Sequence, residues 1–149
     1  MKKNPANTTL RYSHTVPART EELRVVREAV EREAVRFGFD PETAFRIALA
    51  VDEACANIIE HAYRDRMDSN FSVEIATDSN QFVITLYDSG TQFQPGRLPR
   101  LDIRQRARDH RQGGLGLHII NIVMDAVDYG TTSNSRNCLR LVKYLNGTH

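Results

Sequence analysis

The stretch of this chain best suited to chemistry holds three glycines within four positions and reads Gly113-Gly114-Leu115-Gly116-Leu117. The apolar run that follows this glycine stretch predicts a helix, with one face formed by Leu117, Ile120, Met124 and Val127. Glycine-rich chain at the start of a helix suits phosphate binding, because backbone N–H groups can approach an anion and the helix N-terminus carries partial positive charge. Taken alone, the pattern fits a glycine turn before a buried helix at least as well.

A carboxylate and an amide, Glu53 and Asn57, lie four residues apart in an earlier helical segment. Four residues is close to one helical turn, so the two side chains stack on the same face. A different face of that helix is expected to meet the core through Phe45, Ala48, Leu49, Ala56 and Ile59. Spacing alone favours a solvated Glu–Asn pair over a functional one.

A third group that could do chemistry is Asp88, which ends a predicted strand and is followed by Ser89 and Gly90. An acidic residue at a strand end, followed by glycine, is common in binding sites. It is equally common in ordinary turns.

The remaining segments predict the elements that must position these groups. Alternation predicts strands at residues 9–15, 71–77, 82–87, 125–132 and 137–145, the first of them an edge strand. Helical spacing predicts helices at residues 21–37 and from 40 to about 63. Gly38 is suited to end the first helix, Asp40 to cap the second, and Pro41 to be its first residue.

Tight turns at residues 78–81 and 132–136 join the strands in pairs, so the sheet is expected to be mixed and mostly antiparallel. The helices are expected to cover one face of it. The sequence therefore predicts a two-layer α/β sandwich of the α+β kind, as a single domain over residues 1–149.

A long connection at residues 92–112 contains six arginines, Arg97, Arg100, Arg104, Arg106, Arg108 and Arg111. Loops of this length in a compact domain are often functional, and we interpret this one as a lid over an anionic ligand. A solvated, partly helical surface segment fits the composition about as well. A nucleic-acid-binding surface fits this segment less well, because no aromatic residues lie between the arginines for base stacking.

Composition narrows the class of protein. With 149 residues, 40% hydrophobic and 26% charged, the chain is long enough for one core, and its formal net charge of +1 gives no reason to expect nucleic acid or a membrane. Cys55 and Cys138 lie in apolar runs without metal-site spacing, which favours reduced, buried thiols. No secretory signal or membrane anchor is evident, so a cytoplasmic location is expected.

Three motifs, in order along the chain, resemble those of the Bergerat-fold (GHKL) ATP-binding proteins. Residues 51–63 are similar to the N box of this family, residues 88–95 to its first glycine box, and residues 113–117 to its second. Each motif is weak alone, but three in order, with an insertion of lid length between the last two, are specific. Within the family, the chain resembles the small bacterial anti-sigma factor serine/threonine kinases over nearly its whole length.

The resemblance implies a role for each candidate residue. It implies that Glu53 is the general base, that Asn57 is a ligand of Mg²⁺, and that Asp88 reads the exocyclic amine of adenine. It further implies that Gly90 leaves room for the base and that Gly113, Gly114, Leu115, Gly116 and Leu117 surround the phosphates of ATP. Phosphoryl transfer depends mostly on positioning and charge neutralisation, so this short set of residues is chemically sufficient.

The function implied by the resemblance is that of an ATP- and Mg²⁺-dependent protein serine/threonine kinase. Its implied partners are a sigma factor, which it binds, and a small anti-sigma-factor antagonist, which it phosphorylates, and it is expected to form a homodimer. The alternative is a nucleotide-gated binding module that sequesters a regulatory partner without phosphorylating it. A third possibility is a partner-switching pathway that involves no sigma factor. Which partner is bound does not follow from the sequence.

Two positions depart from the pattern of the family. Family members often carry an acidic residue just before the proline of the first glycine box, where this chain has Gln94. They also often place a small hydroxyl residue on the last strand, near the adenine, and Cys138 is the candidate for that place. His61 belongs to the N box and is expected to be structural, since the chain lacks the helix pair of sensor kinases that carries a phosphoacceptor histidine.

Overall fold

A computed structural model describes residues 8–64, 70–89 and 112–145, with the backbone alone for residues 61–64 and 112–117. The described elements, in chain order, are β1 (Thr9–Pro17), a single 3₁₀ turn (Thr20–Glu22), α1 (Leu23–Phe37), α2 (Pro41–Arg64), β2 (Asn70–Thr77), β3 (Gln81–Asp88), α3 (Gln112–Val123), β4 (Ala126–Thr131) and β5 (Asn137–Tyr144). Every predicted strand and helix is present, with boundaries shifted by a few residues.

The five strands form one sheet in the order β1-β2-β3-β5-β4, and each neighbouring pair is antiparallel. The edge position predicted for the first strand is confirmed. Because β5 inserts between β3 and β4, the C-terminal strand is central rather than peripheral. The two strands that frame the candidate site, β3 and β5, are therefore direct neighbours although α3 and β4 separate them in sequence.

One face of the sheet carries the core. Alternate residues of the three central strands are buried there, namely Phe71, Val73 and Ile75 of β2, Phe82, Ile84 and Leu86 of β3, and Leu139 and Leu141 of β5. They form one cluster with buried residues of the three helices, among them Val30, Val51, Ile58 and Ile120. The helices thus cover one face, and the predicted two-layer sandwich is confirmed.

The junction between α1 and α2 follows the predicted turn chemistry. Gly38 has a φ of +130°, a conformation that disfavours a side chain, and its N–H donates to the carbonyl oxygens of Ala34 and Val35. Asp40 caps α2, since its Oδ1 accepts a hydrogen bond of 2.8 Å from the backbone N–H of Thr43. This junction sets where α2 begins and hence the rotation of the face that carries the candidate residues.

The predicted core face of α2 was wrong at Phe45, which is 52% exposed. The buried face of the helix is instead lined largely by small residues, including Ala44, Ala48, Ala54 and Cys55. Small side chains let the helix approach the sheet and α1 closely, whereas a hydrophobicity pattern gives most weight to the largest apolar residue. Among the described helices, none is both long enough and apolar enough to cross a membrane.

Candidate active site

Glu53 and Asn57 occupy one side of α2, at the boundary between the buried face and solvent. Both side chains are half-buried, while their helix neighbours Ala54 and Ile58 are 1% and 7% exposed. The helix as a whole packs against α1, α3 and β3. The two side chains share one side of the helix, as the spacing predicted, but they are half-buried rather than fully solvated.

The electrostatic setting of Glu53 favours its protonated form more than water would. Partial burial, and to a smaller extent the negative charge of Asp52, raise the pKa of the Glu53 carboxyl above its ordinary value. A carboxylate with a raised pKa binds a proton more strongly and is therefore a better general base. This property is useful in proton transfer and is unnecessary for a side chain that is merely solvated.

An ion pair ties α1 to α2 immediately next to Glu53. Nη1 of Arg27 lies 3.1 Å from Oδ1 of Asp52, and both side chains are only partly exposed. The guanidinium offsets part of the negative charge that Asp52 presents to its neighbour. None of the sequence motifs indicated Arg27, because its ion pair with Asp52 depends on how α1 and α2 pack.

Asp88 is the last residue of β3 and is 7% exposed. It lies on the core face, in line with Ile84 and Leu86, and its register partners are Phe71 on β2 and Asn137 on β5. Nδ2 of Asn137 donates a hydrogen bond of 3.0 Å to Oδ1 of Asp88. One carboxylate oxygen is therefore held by a neighbouring strand, and this orients the other.

Asn137 is a site residue that the sequence did not reveal, and the expectation for Cys138 was wrong. Side chains alternate between the two faces of a strand, so the residue opposite Asp88 on the core face is Asn137, while Cys138 pairs with Tyr87 on the other face. A register one residue different would exchange their positions. Only the pairing of β3 with β5, which alternation alone does not specify, could have identified Asn137.

The glycine stretch lies within the first turns of α3 rather than in a loop before it. The backbone is helical from Gln112 to Val123, so the helix begins five residues earlier than Leu117, and Val127 belongs to β4 instead of the helical face. Glycine disfavours helix, but α3 as a whole packs against α2, and such packing stabilises a helix. The first N–H groups of a helix have no partner within it, so this segment keeps its potential to bind an anion.

Several predicted groups lie outside the described residues. These are Gly90, Gln94 and the arginine-rich connection interpreted as a lid, and the side chain of His61 is likewise not described. For Gly113, Gly114, Leu115, Gly116 and Leu117 only the helical backbone is described.

The described candidate residues offer groups of three chemical kinds. The side of α2 offers a basic carboxylate and an amide oxygen, and the ends of β3 and β5 offer a buried carboxylate held by an amide. The third group is the N-terminus of α3, a helix that packs against α2. A carboxylate that can accept from an amine, a carboxylate that can accept a proton and a helix N-terminus are the kinds of group that bind nucleotides.

Comparison with known protein families supports that interpretation. Residues 16–143 match the model of the histidine kinase-like ATPase domain, which is 128 of the 149 residues of the chain. The match extends from β1 to the end of β5 and so includes every candidate residue.

Curated relatives with similar sequences are serine-protein kinases named RsbW. The one from Halalkalibacterium halodurans is 33% identical over 88% of this chain and 81% of its own length. Those from Bacillus velezensis and Bacillus subtilis are 30% and 27% identical, and each alignment covers 89% of this chain and 84% of the relative. Similarity therefore spans nearly the whole of both proteins.

Among solved structures, a chain in the crystal structure of the SiaB–SiaC complex from Pseudomonas aeruginosa has the same fold. It superimposes with a TM-score of 0.67 and covers 89% of each chain at 16% sequence identity. At that identity the likeness concerns the fold alone.

Proposed function

The chain belongs to the histidine kinase-like ATPase family, and we propose that it is an ATP-dependent protein serine/threonine kinase that also acts as an anti-sigma factor. In this proposal, it binds a sigma factor in the cytoplasm and phosphorylates a serine or threonine of a small antagonist protein. Similarity to serine-protein kinases over more than four-fifths of their length supports the kinase activity.

The observation that carries the proposal is the position and pKa of Glu53. A protein that only binds nucleotide needs no proton acceptor, yet this half-buried carboxylate has a raised pKa and lies one turn from Asn57. In the proposed reaction, Glu53 accepts the proton of the partner's hydroxyl as that oxygen attacks the terminal phosphate of ATP. The side chain of Glu53 is half-buried, which limits the access of water to its carboxylate.

Asp88 and Asn137 are proposed to bind the adenine. The carboxylate oxygen of Asp88 that Asn137 does not hold accepts a hydrogen bond from the exocyclic amine, and it would repel the carbonyl oxygen that guanine carries at the same position. Holding Oδ1 in advance lowers the entropy that the carboxylate loses when the nucleotide binds. The backbone at the N-terminus of α3, with Gly113 to Leu117, is proposed to contact the phosphates.

The donor set on α2 fits Mg²⁺, since the amide oxygen of Asn57 is a hard ligand and Mg²⁺ usually keeps water and phosphate oxygens as its other ligands. When bound, Mg²⁺ would neutralise phosphate charge. Asn57 is the residue proposed to hold it. We further propose that the protein works as a homodimer, as the resemblance to the anti-sigma factor kinases implies.

Two measurements on the wild-type protein test the proposal. Calorimetry with ATP and Mg²⁺ should show binding, and a single-turnover assay with labelled ATP and the purified antagonist should show label transferred to a serine or threonine. Binding of ATP without transfer to any antagonist would favour the nucleotide-gated binding module. Absence of ATP binding would contradict both the kinase and the nucleotide-gated binding module.

A further inference from the structure

A network of contacts lies on the outer face of the sheet, directly behind Asp88 and Asn137. Tyr87 and Arg136 each precede one member of that pair by one residue, so they lie on the opposite face from it. The sheet residues of the core cluster lie on the helix-covered face with Asp88. The network therefore occupies the face that is turned away from the core cluster.

Arg136 reaches across two neighbouring strands on this face. Its guanidinium carbon lies 5.0 Å from the centroid of the Tyr87 ring on β3, within the range of a cation–π interaction. Its Nη2 also donates a hydrogen bond of 3.3 Å to Oγ of Ser72 on β2. Ser72 is in turn hydrogen-bonded to Thr15 of β1 at 3.0 Å, so the contacts extend from β5 to the edge of the sheet.

The backbone of Arg136 is held as firmly as its side chain. Its N–H donates to Oγ1 of Thr132 at 3.1 Å, and its carbonyl oxygen accepts from the N–H of Thr132 at 2.9 Å. These bonds close the turn between β4 and β5, in which Ser135 has a φ of +65°. Arg136 is thus anchored to the turn at its backbone and to β3 and β2 at its guanidinium.

Asp88 and Asn137 need such support because both lie at strand ends. Asp88 is the last residue of β3 and Asn137 the first of β5, so the ladder of backbone hydrogen bonds continues on one side of the pair only. Strand ends open more readily than strand centres, since fewer bonds must break. A contact that joins these ends from behind would limit that opening.

We propose that Arg136 is a positioning residue for nucleotide binding: it clamps the ends of β2, β3 and β5 from the outer face and so keeps Asp88 and Asn137 in the geometry that recognises adenine. This inference rests on the proposed ATP-binding function. Arg136 does not touch the nucleotide in this proposal, and it acts through the strand that carries Asp88.

The test is calorimetric titration of ATP and GTP, each with Mg²⁺, into wild type, Arg136→Ala and Arg140→Ala. Arg140 is the matched control, because it lies on β5 four residues after Arg136 and on the same face, but pairs with the exposed Asp128 of β4, at 3.7 Å. Arg136→Ala should weaken ATP binding roughly 3- to 10-fold and lower the ratio of ATP to GTP affinity. Arg140→Ala should stay within about twofold of wild type for both nucleotides.

A conservative variant separates positioning from a general structural role. Arg136→Lys keeps a cation over Tyr87 but loses the planar fork that also reaches Ser72, so it should restore ATP affinity in part. The thermal unfolding midpoint of each variant is measured alongside. A lower midpoint for Arg136→Ala with an unchanged ATP-to-GTP ratio would overturn the clamp, as would equal effects of Arg136→Ala and Arg140→Ala. If the wild-type protein shows no ATP binding, the proposed function itself is overturned.

Discussion

The two halves of the candidate site are built on different kinds of structure. Glu53 and Asn57 are related by one turn of a single helix, and local hydrogen bonds of α2 are enough to set their relative position. Asp88 and Asn137 are 49 residues apart and meet only because β3 and β5 pair in one particular register. One half of the site thus depends on local structure and the other on tertiary structure.

This difference has a consequence for how substitutions act. On α2 a substitution removes one chemical group and leaves its neighbour where it was. At the strand ends each side chain orients the other, so removing either one also changes the position of the one that remains. The proposed catalytic half, Glu53 and Asn57, should therefore respond to substitution group by group. The proposed adenine half, Asp88 and Asn137, should respond as a unit.

The largest expected effect is on the catalytic half. Glu53→Gln keeps the shape of the side chain and loses the proton acceptor, so phosphate transfer to the antagonist should fall by about 10²–10⁴-fold while ATP affinity survives. Glu42→Gln is the matched control, since Glu42 lies on the same helix, is exposed and pairs with the exposed Arg46 at 2.7 Å. Full transfer by Glu53→Gln would remove Glu53 from the catalytic role.

The next effect is on the adenine half. In Asp88→Asn, the side-chain oxygen can still accept from Asn137, which turns the new amide nitrogen toward the amine of adenine, where it cannot accept a hydrogen bond. ATP affinity should weaken by roughly 1.5–3 kcal/mol, and the preference for ATP over GTP should shrink. Calorimetry with both nucleotides measures each change. Unchanged affinity and preference would place Asp88 outside the nucleotide pocket.

A double-mutant cycle sharpens the comparison between the two halves. Asn137→Ala should weaken ATP binding by about 1 kcal/mol, and combined with Asp88→Asn its effect should be non-additive by roughly 0.5–3 kcal/mol. Combined with Glu53→Gln, its effect on ATP binding should be additive. Additivity in both cycles would show that the strand-end pair does not act as a unit.

The smallest effect concerns the pH dependence of transfer. Removing the guanidinium in Arg27→Ala leaves the charge of Asp52 less compensated, so the raised pKa of Glu53 should rise further. A base with a higher pKa is protonated at higher pH, so transfer on the acidic side should decrease, by less than about fivefold, while the alkaline plateau is kept. The pH–rate profile of Arg27→Ala measures this decrease. The control is the profile of Arg24→Ala, because Arg24 pairs with Glu28 on the surface. If the acidic limb of the Arg27→Ala profile lies at the same pH as that of wild type, Arg27 does not affect the pKa of Glu53.

Structural features that depend on interactions within a few residues could be predicted from the sequence, whereas features that depend on packing between distant segments could not. Helix ends were predicted where a local signal exists, as at Gly38 and Asp40, because a cap acts within one turn. The face of α2 was misjudged at Phe45 because burial depends on what packs against the helix. The start of α3 was placed too late because glycine content argued against a helix that packing against α2 stabilises.

Within the site, the sequence by itself determined the set of chemical groups and the relation of Glu53 to Asn57, since residue type and helical period are local properties. The roles of Glu53, Asn57, Asp88, Gly90 and the glycine stretch remain predictions. Tertiary structure alone decided that Asn137 rather than Cys138 faces Asp88, and that Arg27 pairs with Asp52 beside Glu53. The physical reason is that strand register and helix packing are set by the whole core, and a shift of one residue would turn each side chain to the opposite face.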